Sequence, residues 1–308
     1  MKIAVMGAGA LGGYFGGRLA AAGHDVTLIA RGAHLAAIKA NGLRIQSPKG
    51  DLHLPEIAAT DDPASVGPVD VVMFMVKTYD LDQAAQAMLP MLGPQTMVTT
   101  FQNGVSAPDR LGAIVGAQHV VPGVARIPAD IMAPGVIRHN AAWNMLQFGE
   151  ANGMPSDRCA GFSEALTAAG VDVELSPNIR HELWRKFVMQ ASLASITALT
   201  RLNVGAIRAN PAAASLFRRS TVETAAVGRA EIPDMPPNVA EEQWRFISNN
   251  LPDTMHASML DDLLRGKPIE IDDLSGEVVR LGRKHGIPTP IHEVFDAALQ
   301  PFANGAPG

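Results

Sequence analysis

The sequence predicts a doubly wound α/β domain followed by an all-helical domain, and three observations carry that prediction. Strand and helix patterns alternate through the first half of the chain, whereas from Asn178 to about Ala303 strand signals nearly vanish and helical periodicity dominates. The chain also opens on an apolar run, a glycine-rich turn, a helical stretch and a second apolar run, which is the order of a βαβ unit. The change of pattern puts the boundary near Ser176-Pro177, giving domains of residues 1–176 and 177–308.

The opening unit is the most informative part. Ile3 to Met6 reads as a short buried strand and runs into Gly7-Ala8-Gly9-Ala10-Leu11-Gly12. A helical pattern follows through Tyr14, Leu19 and Ala22, Gly23 ends it, and Val26 to Ala30 forms the next strand. A G-x-G-x-x-G alone says little, but at a strand-to-helix turn it is the dinucleotide fingerprint of a Rossmann-type domain. Gly7 permits the tight turn, Gly9 lets a pyrophosphate approach the backbone, and Gly12 lets the helix pack on the strand. The helix N-terminus offers unpaired N–H groups and partial positive charge to the phosphates. A glycine-rich turn without a ligand is the alternative. After the second strand no acid stands ready for a ribose 2′-hydroxyl; the chain reads Ile29-Ala30-Arg31-Gly32. Arg31 can grip a 2′-phosphate instead, so NADP(H) is favoured over NAD(H). An exposed arginine with no ligand is the plain alternative.

The remaining elements follow in order. A helix is expected over His34 to Ala40, then a hairpin-like stretch made of Leu43 to Ile45 and Leu52 to Leu54. Val69 to Val76 is the densest apolar run and reads as a central parallel strand. A helix near Leu81 to Leu89 is broken by Pro90 and Pro94, and Met97 to Thr100 is the next strand. Val120-Val121 starts another. Val136 to His139 and Met145 to Phe148 look like antiparallel edge strands, with Pro134-Gly135 as the turn before the first. A helix near Phe162 to Ala169 and a strand from Val171 to Glu174 complete this half. In the second half Pro268 is expected to open a long helix with acids in its first turn, and residues 304–308 to fray.

Composition excludes several classes. The chain has 308 residues, 47% hydrophobic and 18% charged, with a net charge of −5. The pI is near 6.0. Neither a nucleic-acid nor a membrane-surface partner is suggested. The single cysteine, Cys159, excludes an intrachain disulfide and fits a reducing compartment. No signal peptide is credible, and no segment reaches the roughly 18 apolar residues of a spanning helix. A cytoplasmic enzyme is the expectation. No histidine falls in a metal-ligand pair, so no metal is expected. The helical domain has apolar surface enough for a homodimer, with no seam specified.

Candidate chemistry lies at strand ends and on one helix. Lys77 follows the strand from Val69, and Asn103 follows the strand from Met97. Both are expected in the crevice beyond the strands, the cleft between the two domains, where ligands bind. Lys77 can meet cofactor phosphate or ribose; Asn103 can bond a nicotinamide ribose or a substrate oxygen. A solvated lysine and a plain Asn-Gly turn are the alternatives. The helix Asn178 to Leu199 puts Lys186 and Gln190 one turn apart, and Ala194 and Thr197 extend that stripe. Lys186 is a candidate proton donor or carboxylate anchor, against the plainer reading of a surface lysine.

Together these motifs resemble the ketopantoate reductase (2-dehydropantoate 2-reductase) family. The matching residues are Gly7-Ala8-Gly9-Ala10-Leu11-Gly12, Arg31, Val76-Lys77, Gln102-Asn103-Gly104, Asn178 to Lys186, Ser258-Met259 and Glu270-Ile271-Asp272, in the family's order. The resemblance implies NADPH-dependent reduction of a 2-keto acid, 2-dehydropantoate, to a D-2-hydroxy acid, D-pantoate, in pantothenate biosynthesis. It implies that Lys186 protonates the carbonyl oxygen as hydride arrives. Glu270 bonds near that lysine and the cofactor, Asn103 helps hold both ligands, and Gln190 and Ser258 face the substrate. Where the family usually carries asparagine, this chain has Gln190, Ala194, Val204 and Ser275. Those exchanges are expected to redirect specificity, because a pocket built to hydrogen-bond its substrate discriminates strongly. A reductase of another 2-keto acid is therefore the closest rival. A 3-hydroxyacid or imine-type dehydrogenase, which also uses a cleft lysine, is a further alternative that Trp184-Arg185-Lys186 with Glu270-Ile271-Asp272 argues against, and a non-enzymatic NADPH sensor is another, which would need no Lys186–Glu270 pair.

Overall fold

The computed structural model describes residues 1–307. The chain divides into two compact units, Met1–Gln102 with Ala107–Ile179, and Asn103–Ser106 with the residues from Arg180 onward.

The first unit is an α/β layer structure. Its elements are β1 (Lys2–Met6), α1 (Ala10–Ala21), β2 (Asp25–Ile29), α2 (Gly32–Asn41), β3 (Leu43–Gln46), β4 (Leu52–Leu54), β5 (Ala58–Thr60), β6 (Val69–Phe74), α3 (Leu81–Ala87), β7 (Leu92–Thr100), α4 (Ala107–Val115), β8 (Val120–Arg126), β9 (Ala129–Ala133), β10 (Val136–His139), β11 (Met145–Phe148), α5 (Asp157–Ala168) and β12 (Asp172–Leu175). Eight strands form one sheet in the order β12-β11-β8-β7-β6-β1-β2-β5. The six from β8 to β5 are parallel, while β11 joins β8 antiparallel. Chain order reverses at β1, which makes its carboxyl end the topological switch point. Alternation along β1 sends Ile3 and Val5 into the core layer under α1 and α5, and Ala4 and Met6 into the layer under α3 and α4. Burial on both faces is why this strand reads as a continuous apolar run.

A second sheet, β4-β3-β10-β9, lies against α1. The helix reaches both sheets because it has glycine where it touches them. A Cβ on Gly12 would stand 2.9 Å from Val5 and one on Gly16 2.8 Å from Val5. On Gly13 it would meet Ile137 at 3.1 Å, and on Gly17 Ile45 at 2.5 Å.

The second unit is helical: most of α6 (Ile179–Thr200), then α7 (Val204–Ala209), α8 (Pro211–Glu231), α9 (Val239–Asn249), α10 (Ser258–Leu264), α11 (Glu277–His285) and α12 (Pro290–Leu299). Local signals set its helix ends. Asn210 caps α8 by accepting from Ala212 and Ala213 N–H at 3.1 and 3.0 Å, with Pro211 as the first helical residue. Gly286, at φ 66°, ends α11 in the left-handed conformation.

Several expectations are corrected. Val136–His139 and Met145–Phe148 do pair antiparallel, with β9 and β8, but neither lies at an edge. β10 is interior to the small sheet and β11 is second in the large one. Two short separate strands in one polar stretch carry no signal of which sheet each joins. The central strand stops at Phe74, not Val76, with Met75 N–H still donating to Met6 O at 2.8 Å. Pro268 opens no long helix. Glu270 belongs to a non-helical approach, a five-residue π turn covers Asp272–Gly276, and α11 starts at Glu277. The terminus is held rather than frayed as far as Ala306. Gly305 N–H donates to Phe302 O at 3.0 Å and Ala306 N–H to Gly266 O at 3.1 Å. Gly308 lies outside the described residues.

A buried polar chain crosses the helical core. His292 of α12 is fully buried, with Nε2 at 3.1 Å from Ser220 O and 2.8 Å from Thr224 Oγ1. A carbonyl has no proton to give, so Nε2 carries the hydrogen and Nδ1 accepts. Its donor is Ser275 Oγ at 2.9 Å. Ser275 has then given its only proton, so Ser195 Oγ, 2.6 Å away, donates to it. Burial pushes the His292 pKa from 6.5 down to about 4. The unfolded chain therefore takes up a proton that the folded one refuses. Stability from this source is complete above pH 6.5 and is lost as pH falls toward 4. Denaturant titrations at about pH 7 and about pH 5 should differ by about 2 kcal/mol on account of this group, a difference that His292→Gln should remove.

Candidate active site

At the switch point the glycine turn is shaped by two demands. Gly7 sits at φ +97°, where a Cβ would stand 2.8 Å from Val76 N. Its N–H and that of Ala8 donate to Ile29 O at 3.2 and 2.8 Å, tying the turn to the end of β2. Those two amides therefore hold the loop, and an anion falls to the later amides of the motif. Gly9 is the N-cap of α1, with no side-chain cap, and a Cβ on it would meet nothing within 4 Å. Ala10, Leu11 and Gly12 form the first turn beyond it, whose N–H groups have no partner within the helix. Arg31 stands just past β2, exposed and without an ion pair among the described residues. Lys77 is half-buried directly beyond β6. His34 of α2 braces this region: its Nδ1 accepts from Gly135 N–H at 3.1 Å, and burial holds its pKa below the ordinary value. An open, uncapped helix N-terminus offers backbone donors to an anionic group, and the Arg31 guanidinium just past β2 offers a further one.

The helical unit supplies the second group of residues. Lys186 Nζ of α6 donates to Asn103 Oδ1 at 3.1 Å. Two residues 83 positions apart thus meet, and the bond orients the amide so that Asn103 Nδ2 is left to donate elsewhere. An ammonium and an amide N–H together make a donor set for oxygen-bearing, anionic ligands. Gly104 at φ +93° lets the segment turn sharply, and a Cβ there would be 2.8 Å from Asp273 O of the π turn. Glu270 is buried just before that turn, 6% exposed. Gln190 is half-buried one turn beyond Lys186, and Ser258 is exposed at the first position of α10.

Three of the four exchanged positions do not behave as a specificity surface. Ala194 and Val204 are fully buried in the hydrophobic core of the helical unit, and Ser275 is fully buried with its hydroxyl bonded to Ser195 and His292. Thr197 likewise donates back to Leu193 O at 2.7 Å. Gln190 alone of the four keeps partial exposure. Gln102, named only within the Gln102-Asn103-Gly104 match and given no role there, has its Nε2 donating to Phe74 O at 2.7 Å and Val76 O at 3.3 Å, tying the start of the Asn103 loop to the end of β6. Its only signal was its place directly before Asn103. Among the described residues no group of His, Cys, Asp and Glu could hold a metal ion, and no helix is long and apolar enough to cross a membrane.

A doubly wound dinucleotide-type unit and a helical unit bearing a lysine–asparagine pair define an oxidoreductase class, and comparison with known proteins narrows it. The family described as "Ketopantoate reductase PanE/ApbA" matches residues 3–153, and "Ketopantoate reductase PanE/ApbA C terminal" matches residues 178–302. The 2-dehydropantoate 2-reductase of Mesorhizobium japonicum is 35% identical, covering 97% of this chain and 96% of the relative. The crystal structure of a PanE/ApbA family ketopantoate reductase from Ralstonia eutropha JMP134 is 37% identical, with a TM-score of 0.90 and 98% of each chain covered. A D-mandelate dehydrogenase, solved with NADH and anilino(oxo)acetate, shares the fold at a TM-score of 0.89 and 21% identity, with 98% of each chain covered. The chain belongs to the ketopantoate reductase family.

The glycine geometry separates two roles. Gly12→Ala would put a methyl 2.3 Å from Gly7 O and should lower stability by about 1–3 kcal/mol. Gly9→Ala should melt like the unchanged protein yet bind NADPH more weakly. Thermal melts paired with NADPH fluorescence titrations read both outcomes.

Proposed function

We propose that the protein reduces 2-dehydropantoate to D-pantoate with NADPH, with Lys186 as the proton donor. The observation that carries the proposal is the Lys186–Asn103 hydrogen bond of 3.1 Å. Hydride addition builds negative charge on the former carbonyl oxygen. The Lys186 ammonium stabilises that charge and then transfers its proton to the oxygen, which yields the hydroxyl. Asn103 fixes where the ammonium stands and offers its own N–H to a ligand oxygen. Glu270, buried just before the π turn, is the carboxylate that the family resemblance assigns to the same site. NADPH supplies the hydride when bound. Gly9 to Gly12 are the residues that would hold its pyrophosphate, Arg31 its 2′-phosphate, and Lys77 a phosphate or ribose of the cofactor.

Support for NADPH rather than NADH is Arg31 itself, an unpaired guanidinium where an acid would otherwise meet the ribose. A second reading, reduction of a different 2-keto acid, is favoured by Gln190, a half-buried and longer amide than the asparagine usual in the family one turn from Lys186. Loss of NADPH absorbance with ketopantoate, 2-ketoisovalerate, phenylglyoxylate and oxaloacetate, with NADH as control, decides between them. Fastest turnover on ketopantoate supports the first reading, and rapid reduction of another keto acid supports the second.

Lys186→Ala should lower kcat by about 10²–10⁴-fold with the protein still folded, in the same assay. Arg31→Ala should raise KM for NADPH by about 10- to 100-fold while leaving KM for NADH nearly unchanged, the effect of one lost bidentate contact to a charged phosphate.

A further inference from the structure

We propose that His292 is a positioning residue for this reaction, acting through Ser275 on the π turn that backs the Asn103–Lys186 pair. The inference rests on the reductase reading above.

The turn Asp272–Gly276 is closed by Gly276 N–H on Ile271 O at 3.0 Å and by Leu274 N–H on the same oxygen at 3.2 Å. Such a wide turn has poor internal geometry and relies on its surroundings to stay in place. Side-chain bonds help to hold it. Ser275 is bonded to Ser195 of α6 and to His292 of α12, and Gln300 Nε2 donates to Asp272 Oδ1 at 2.9 Å. Of these, only the Ser275 pair is buried.

The contacts form a closed circuit. Lys186 bonds Asn103; Gly104, the next residue, lies tightly against Asp273 O; Ser275 is two residues further along the turn; Ser275 bonds Ser195; and Ser195 returns to the helix that carries Lys186. His292 sets the direction of the hydrogen bonds in this circuit. With Nε2–H committed to Ser220 O, its Nδ1 can only accept, which obliges Ser275 to donate inward and to accept from Ser195. Without that acceptor, Ser275 would be a buried hydroxyl with an unplaced proton and two competing orientations. The turn would then lose its fixed place against Gly104, and Asn103 would shift relative to Lys186. A shift of that kind far from the reacting atoms costs rate more than binding.

Three variants separate positioning from stability. His292→Gln keeps a donor for the Ser220 carbonyl and removes the acceptor that faces Ser275. Ser275→Ala removes the link itself. His292→Asn keeps an acceptor near the Nδ1 position. The first two should lower kcat by roughly 10- to 100-fold with NADPH affinity within about twofold of the unchanged protein, and His292→Asn should recover most of the rate. Without any substrate, the Asn103 side-chain amide resonances, assigned with Asn103→Ala, should move in the first two variants and stay in the third. The ¹⁵N shifts of His292 should show the Nε2–H tautomer. Unchanged kcat and unmoved Asn103 resonances in folded His292→Gln and Ser275→Ala would overturn the proposal. Equal losses in all three that follow only the melting temperature would do so too. If the unchanged protein reduces no keto acid, the reductase reading fails, while the Asn103 resonances still test the coupling on their own.

Discussion

The close approach of α1 to two sheets is the constraint on which the first unit depends. A helix that must touch β1 and β2 on one side and β3 and β10 on another can do so only if side chains are missing along both stripes. Gly12 and Gly16 clear the first stripe, Gly13 and Gly17 the second. The same closeness aims the uncapped N-terminus of α1 at the end of β1 and leaves Gly9 facing open space. Packing and anion recognition are thus two results of one geometry. A bulkier helix would stand off from the sheet and carry its dipole away from the turn.

Much of this was legible because the signals were local. The fingerprint, the apolar run of β1, the hairpin β3–β4 and the helix bearing Lys186 each declare themselves within a few residues. What could not be read depends on partners far away in the chain. β10 and β11 are both four-residue strands, yet one joins β3 and the other β8, and nothing in either strand names its neighbour. The π turn was equally hidden. Pro268 with acids after it is a sound helix start, but here the chain must bring Asp273 against Gly104 before it coils.

The candidate site shows the same division. Lys186 and Asn103 were candidates by their types and strand or helix positions, their roles came only from the family resemblance, and the structure brings the two side chains within a hydrogen bond of each other. The environment of Ser275, Ala194 and Val204 could not be guessed from substitution alone. A serine in place of an amide suggests a lost substrate contact; its real partners are another serine and a buried histidine. Those three exchanges belong to the internal architecture of the helical unit. Any change in substrate preference therefore has to be sought first at Gln190.

The ends of the two sheets have a further consequence. The large sheet finishes in β5 and β12, of three and four residues, too short to template the addition of a foreign strand. The small sheet finishes in β4, also of three residues, and in β9. β9 is the longest edge, and it exposes Ile131 and Met132. The bidentate pair of Arg138 with Asp130 places opposite charges across its inner flank. Aggregation of this protein, where it occurs, should therefore begin at β9, with that charged pair acting as its gatekeeper.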